Sequence, residues 1–159
     1  MDSASRIEQY LAGAALLRRA VAGMTREQLL ARPVPGKWST LEVVCHLADF
    51  EPIFADRIKR AIALDRPPIF GADENQFARR LAYHERELAE ELTIVEMTRR
   101  QLARILRTLA PEDFTRVALH NEAGPRTVEQ LLTTITNHIP HHVKFIEEKR
   151  RALGLPPPA

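Results

Sequence analysis

Two histidines four residues apart, His138 and His142, sit in the stretch TVEQLLTTITNHIPHHVKFIEEKRRAL, residues 127–153. If that stretch is a helix, both imidazoles project from one face, one turn apart. Leu131, Ile135, Phe145 and Ile146 share the face, so the imidazoles interrupt a core-facing stripe. Such a pair can hold one side of a divalent metal site. A third imidazole, His46, lies in a second apolar stretch with Val43, Phe50 and Ile53 on its side. Bundle cores build metal sites from facing helices, so adjacency of the two helices would bring His46, His138 and His142 together. Three neutral imidazoles suit zinc, nickel, copper or iron; zinc and nickel are the leading expectation, with iron and manganese as further candidates. Three protein ligands leave positions open for water or substrate, the arrangement of a catalytic centre. Asp49, one turn beyond His46, can reach the same space as a base or orienter, and Glu42 is a second candidate.

The other titratable groups read more blandly. An isolated histidine on an apolar face is usually a hydrogen-bonded core residue. That is the expectation for His84, while His141 is expected at the helix edge and His120 in a surface loop that can line a pocket mouth. Cys45 adjoins His46 but points about 100° away around the helix, as a small buried hydrophobe. Arg79, Arg80, Arg99, Arg100, Arg104 and Arg107 alternate with acids and read as a solvated face.

These residues need helices to position them. Ile7, Leu11, Ala14, Leu17 and Val21 recur at helical spacing in a first helix running to about Gly23. Thr25–Gln28 can cap a short extra turn. Ser39 and Glu42 form a capping box opening the helix of His46. Pro52 either kinks that helix or divides it in two. Asp73 begins a third helical stretch reaching Leu109; at about 1.5 Å per residue it would exceed roughly 50 Å, so a bend or break is expected. Residues 112–126 read as irregular, with Gly124-Pro125 as a turn. Thr127 and Gln130 form the capping box of the last helix, kinked at Pro140 and stopped by Gly154 before a proline-rich tail, 156–159. The architecture expected is all-α: a four-helix bundle in one domain over 1–159.

Composition bounds the function. The chain has 159 residues, 45% hydrophobic and 28% charged, with a net charge of +2. That balance gives no reason to expect a nucleic-acid partner. One cysteine excludes an internal disulfide framework and fits a reducing cytosol. No apolar run is long enough to span a bilayer, and the first residues lack a signal-peptide pattern. A cytoplasmic protein without membrane partners is expected. P-loop, dinucleotide, CxxC and nucleophile-elbow motifs are absent.

The segment PGKWSTLEVVCHLADFE, followed by FADRIKRA, resembles the DinB-like superfamily of four-helix metalloproteins, and so does TVEQLLTTITNHIPHHVKFI. The family pattern W-S-x-x-E-x-x-x-H-L-x-D matches Trp38 through Asp49, and His-x-x-x-His matches His138 and His142. The resemblance implies an up-down-down-up-like bundle with three metal-bound histidines at one end, often as a homodimer. It further implies a metal-dependent hydrolase or an S-transferase of low-molecular-weight thiols, acting on a small-molecule or thiol substrate. The alternative is a non-catalytic stress-response bundle that binds a metal or ligand. Ile139 stands where relatives frequently carry an acid, which puts an orienting partner for the first distal histidine in doubt.

Overall fold

The computed structural model describes residues 2–157. Four long helices carry the fold: α1 (Ser3–Ala20), α3 (Thr40–Ala63), α5 (Leu88–Leu106) and α6 (Val128–Ala152), with short helices α2 (Arg26–Leu30) and α4 (Glu74–Arg80) between them. Side-chain caps define their starts. Thr25, Ser39 and Thr127 each accept from the backbone N–H three residues on, and Gln28, Glu42 and Gln130 return the bond. Helix α3 runs unbroken past the exposed Pro52, and α6 runs unbroken past Pro140. The expected third helix does break. Ala82 takes a left-handed conformation (φ 50°) between α4 and a single 3-10 turn, Tyr83–Glu85, before α5 begins.

Helix α1 packs on α5 and α6, and α3 packs on the same two. This makes α3 and α6 direct neighbours, which decides where the histidines go. Two hydrophobic clusters fill the bundle: one includes Leu17, Leu47, Val95 and Ile139, the other Tyr10, Ile58, Leu102 and Leu132. Between them, along α3 and α5, stand Glu51 and Arg99, both with fully buried side chains. Arg99 Nη2 donates to Glu51 Oε2 at 2.8 Å and to the Ile135 carbonyl at 3.1 Å, and Nη1 donates to the Tyr10 carbonyl. Tyr10 donates its hydroxyl to Glu51 Oε1 at 2.7 Å. One guanidinium thereby ties all four long helices. Arg99 is the exception to the solvated face expected from its neighbours.

The all-α expectation omits a small sheet. Strand β1 (Pro68–Ile69) pairs parallel with β2 (Val117–His120), which pairs antiparallel with β3 (Gly124–Thr127). Leu119 N–H donates to the Pro67 carbonyl and Asn121 N–H to the Ile69 carbonyl. The sheet anchors the loop after α3 to the segment before α6, and so walls one side of the site. Among the described residues, no helix is long and apolar enough to cross a membrane.

Candidate metal centre

The capping box at Ser39 fixes the phase of α3, placing His46 on the side that meets α6. From α6, His138 and His142 face it one turn apart. The ring centroids of the three histidines lie 4.7–4.9 Å from one another. One candidate ligand atom from each falls within 4.8 Å of the other two, and Nε2 of His46 lies 3.0 Å from Nε2 of His138. Two nitrogens on one tetrahedral cation, each bound at about 2.0–2.1 Å, stand about 3.3 Å apart. The observed approach is of that size.

Burial keeps these rings neutral. It lowers the His46 pKa from 6.5 to about 4, with Glu74 and Asp49 opposing. It lowers His138 and His142 to about 3, and the neighbouring imidazoles add to the effect. Neutral imidazoles with free lone pairs are what a divalent ion requires. All three Nδ1 atoms are buried without a hydrogen-bond partner among the described residues. Aromatic packing orients the rings instead. His46 stacks 4.5 Å from Phe50 and 5.3 Å from Trp38, and His138 lies 6.3 Å from Phe54. The donor set and its spacing fit a divalent cation.

The cluster opens into a cavity of about 570 Å³. Arg57, Glu74, His120, Glu122 and His141 also line it. Arg57 donates to the Phe70 carbonyl, and its guanidinium lies 4.9 Å over the Phe54 ring. Glu122 reaches the cavity because residue 71 is glycine: a Cβ there would meet the Glu122 carboxylate at 2.8 Å. The Nδ1 of His120 accepts from Glu122 N–H and Ala123 N–H, both at 3.2 Å. Its proton therefore sits on Nε2 as a donor.

Asp49 is placed differently from the expectation of a base at the site. Its Oδ1 accepts from Arg86 at 2.8 Å, Arg86 also reaches Glu91 at 3.3 Å, and Asp49 does not line the cavity. One turn along α3 from His46 is a rotation that carries Asp49 toward the α5 side. Glu42 is likewise committed elsewhere, to the Ser39 N–H and Arg32. His84 is exposed beside Glu85 rather than buried, because the chain breaks at Ala82 and turns Tyr83 inward in its place. His141 lines the cavity from an exposed position with its ring 5.1 Å from that of His142. Cys45 is fully buried, donates to the Tyr83 carbonyl at 3.5 Å, and has its thiol pushed up to about 12 by burial. Arg57, Glu74 and Glu122 carry no periodic signal as cavity residues. Only the nearness of Glu122 to His120 in the chain pointed that way.

The model of the DinB superfamily matches residues 9–146. The chain belongs to the DinB superfamily. The chain is 29% identical over 131 residues to "Putative metal-dependent hydrolase OB0782" of Oceanobacillus iheyensis, covering 82% of this chain and 76% of that one. It is 30% identical over 139 residues to a protein of Geobacillus thermodenitrificans with the same descriptive name, covering 87% and 78%. The solved structure of YfiT from Bacillus subtilis, described as having "an unusual four-helix bundle topology", superposes with a TM-score of 0.90 at 26% identity. The match covers 97% of this chain and 89% of that one. The four-helix architecture is thus shared with that solved structure.

Proposed function

We propose that this DinB-superfamily chain is a metal-dependent hydrolase of a small molecule, with His46, His138 and His142 as the ligands of one divalent ion. The convergence of three neutral imidazoles on the wall of a cavity carries the reading. The hydrolase names of the curated relatives support it. When bound, the ion supplies a Lewis acid that polarises the scissile group. The chain's own residues do the rest. Phe50, Phe54 and Trp38 pack against the histidines and hold their planes. Glu74 and Glu122 are the carboxylates lining the cavity, where one of them can hold a proton during bond cleavage. His120 offers an Nε2–H donor to orient substrate. Transfer of a low-molecular-weight thiol would be the second reaction class for a metal ion held by these histidines.

The test is a panel of small ester, amide and thiol-conjugate substrates, assayed before and after chelation. Turnover that disappears on chelation and returns with added zinc or nickel supports the proposal. Turnover that persists at full rate in metal-free protein contradicts it. Product analysis separates hydrolysis from thiol transfer.

A further inference from the structure

Lys149 lies on α6 in the run EEKRRA, a composition that reads as solvent-facing, yet its exposure is only 2%. Buried lysines are rare unless paired. This one has no carboxylate within 4.0 Å among the described residues. Its Nζ donates only to the Phe145 carbonyl, at 3.2 Å, within its own helix. An ammonium has three donors; among the described residues two of them meet no protein acceptor, and the Phe145 ring centroid lies 6.0 Å from Nζ. The charged groups around it do not resolve this. Glu42, from α3, is held by Arg32 and the Ser39 N–H, Glu148 is the adjacent residue on α6, and Lys37 adds a second positive charge. Burial accordingly lowers the Lys149 pKa.

Lys149 lines a second cavity, of about 230 Å³, with Lys37, Trp38, Val43, His142 and Phe145. Trp38 and His142 also line the larger cavity, so the two spaces adjoin at the histidine cluster. We propose that Lys149 and Lys37 form an oxyanion subsite there, which takes the carboxylate or phosphate of a small substrate whose reacting end lies at the three histidines. An unpaired buried cation costs stability; a bound anion supplies the missing partner, and Trp38, Val43 and Phe145 accommodate an apolar linker. As a substrate anchor the subsite rests on the hydrolase reading. As an anion site it stands without the metal.

Trp38 is the only tryptophan and walls the subsite, so its fluorescence reports occupancy. Metal-free protein is titrated with inorganic phosphate and, separately, acetate, following Trp38 emission and the melting temperature. A saturable emission change and a rise in melting temperature are expected with at least one probe, and the two arms distinguish phosphate from carboxylate. Lys149→Met is expected to weaken binding at least about tenfold, to melt above wild type without anion, and to lose the anion-induced rise. Lys37→Gln, at an exposed position where folding is not at stake, is expected to weaken binding about threefold or more. Arg57→Gln in the larger cavity leaves the response intact. No saturable response to either probe, an affinity unchanged in Lys37→Gln or in a folded Lys149→Met, or a response abolished by Arg57→Gln would each overturn the subsite.

Discussion

Nε2 of His46 and Nε2 of His138 lie 3.0 Å apart, although 92 positions separate the residues in the chain. Two neutral imidazoles at that distance share either a proton or a cation. The surrounding aromatic rings fix them there without hydrogen bonds to Nδ1. Added zinc or nickel is therefore expected to raise the melting temperature of wild type. Ion in hundredfold excess over its Kd contributes about 2.7 kcal/mol. His46→Ala and His138→Ala should lose most of that rise while still folding. An equal rise in both variants would place the ion elsewhere.

Acidification should destabilise the metal-free protein through the same residues. Burial lowers the pKa from 6.5 to about 4 for His46 and about 3 for His138 and His142. Above pH 6.5 these rings are neutral in both folded and unfolded chains and contribute no slope. As pH falls from 6.5 toward 4, the unfolded chain takes up protons that the folded one refuses, so stability falls. Each histidine adds a slope of at most about 1.4 kcal/mol per pH unit. Denaturant unfolding at several pH values checks this. His142→Ala should flatten the slope by about one proton, and an unchanged slope would contradict the assigned burial.

Asp49 is anchored to Arg86, not to the cavity. Asp49→Asn should leave metal stoichiometry unchanged and lower stability by about 1–3 kcal/mol, since Arg86 loses a partly buried partner. Elemental analysis and chemical denaturation of the variant together decide the point. Loss of the ion in Asp49→Asn would restore Asp49 to the site.

The Arg99 crosslink predicts two sensitive positions. A Cβ on Gly13 would overlap Arg99 Nη1, and the guanidinium is held by its buried partners. Gly13→Ala should therefore cost about 1–3 kcal/mol by overpacking. Glu51→Gln leaves Arg99 charged and uncompensated, at about 3–5 kcal/mol. Thermal or urea unfolding of both variants tests the pair; wild-type stability in Glu51→Gln would show that Tyr10 and the two carbonyls suffice.

Much of this arrangement was legible before any coordinates. The boxes at Ser39 and Thr127 mark where α3 and α6 begin because capping is local chemistry, written in four consecutive residues. The helical period then puts His46, His138 and His142 on inward faces. What the period cannot say is which helices touch. The same arithmetic that faced His46 inward placed Asp49 beside it, and only the position of Arg86, in the turn before α5, shows Asp49 held there. The sheet escaped because its strands are two and four residues long and its parallel pairing joins Ile69 to His120 across α4 and α5. Arg99 and Lys149 were hidden for another reason. Flanking charges mark a polar face on average, and neither residue announces that it is the one turned inward.

The most direct measurement is elemental analysis of protein purified without a histidine tag, beside His46→Ala, His138→Ala and His142→Ala prepared identically. One divalent transition-metal ion per wild-type chain, falling below about a tenth in each variant, is the predicted result. A folded wild type that neither carries nor takes up zinc or nickel, or variants that keep a full complement, would contradict a metal centre at these three histidines.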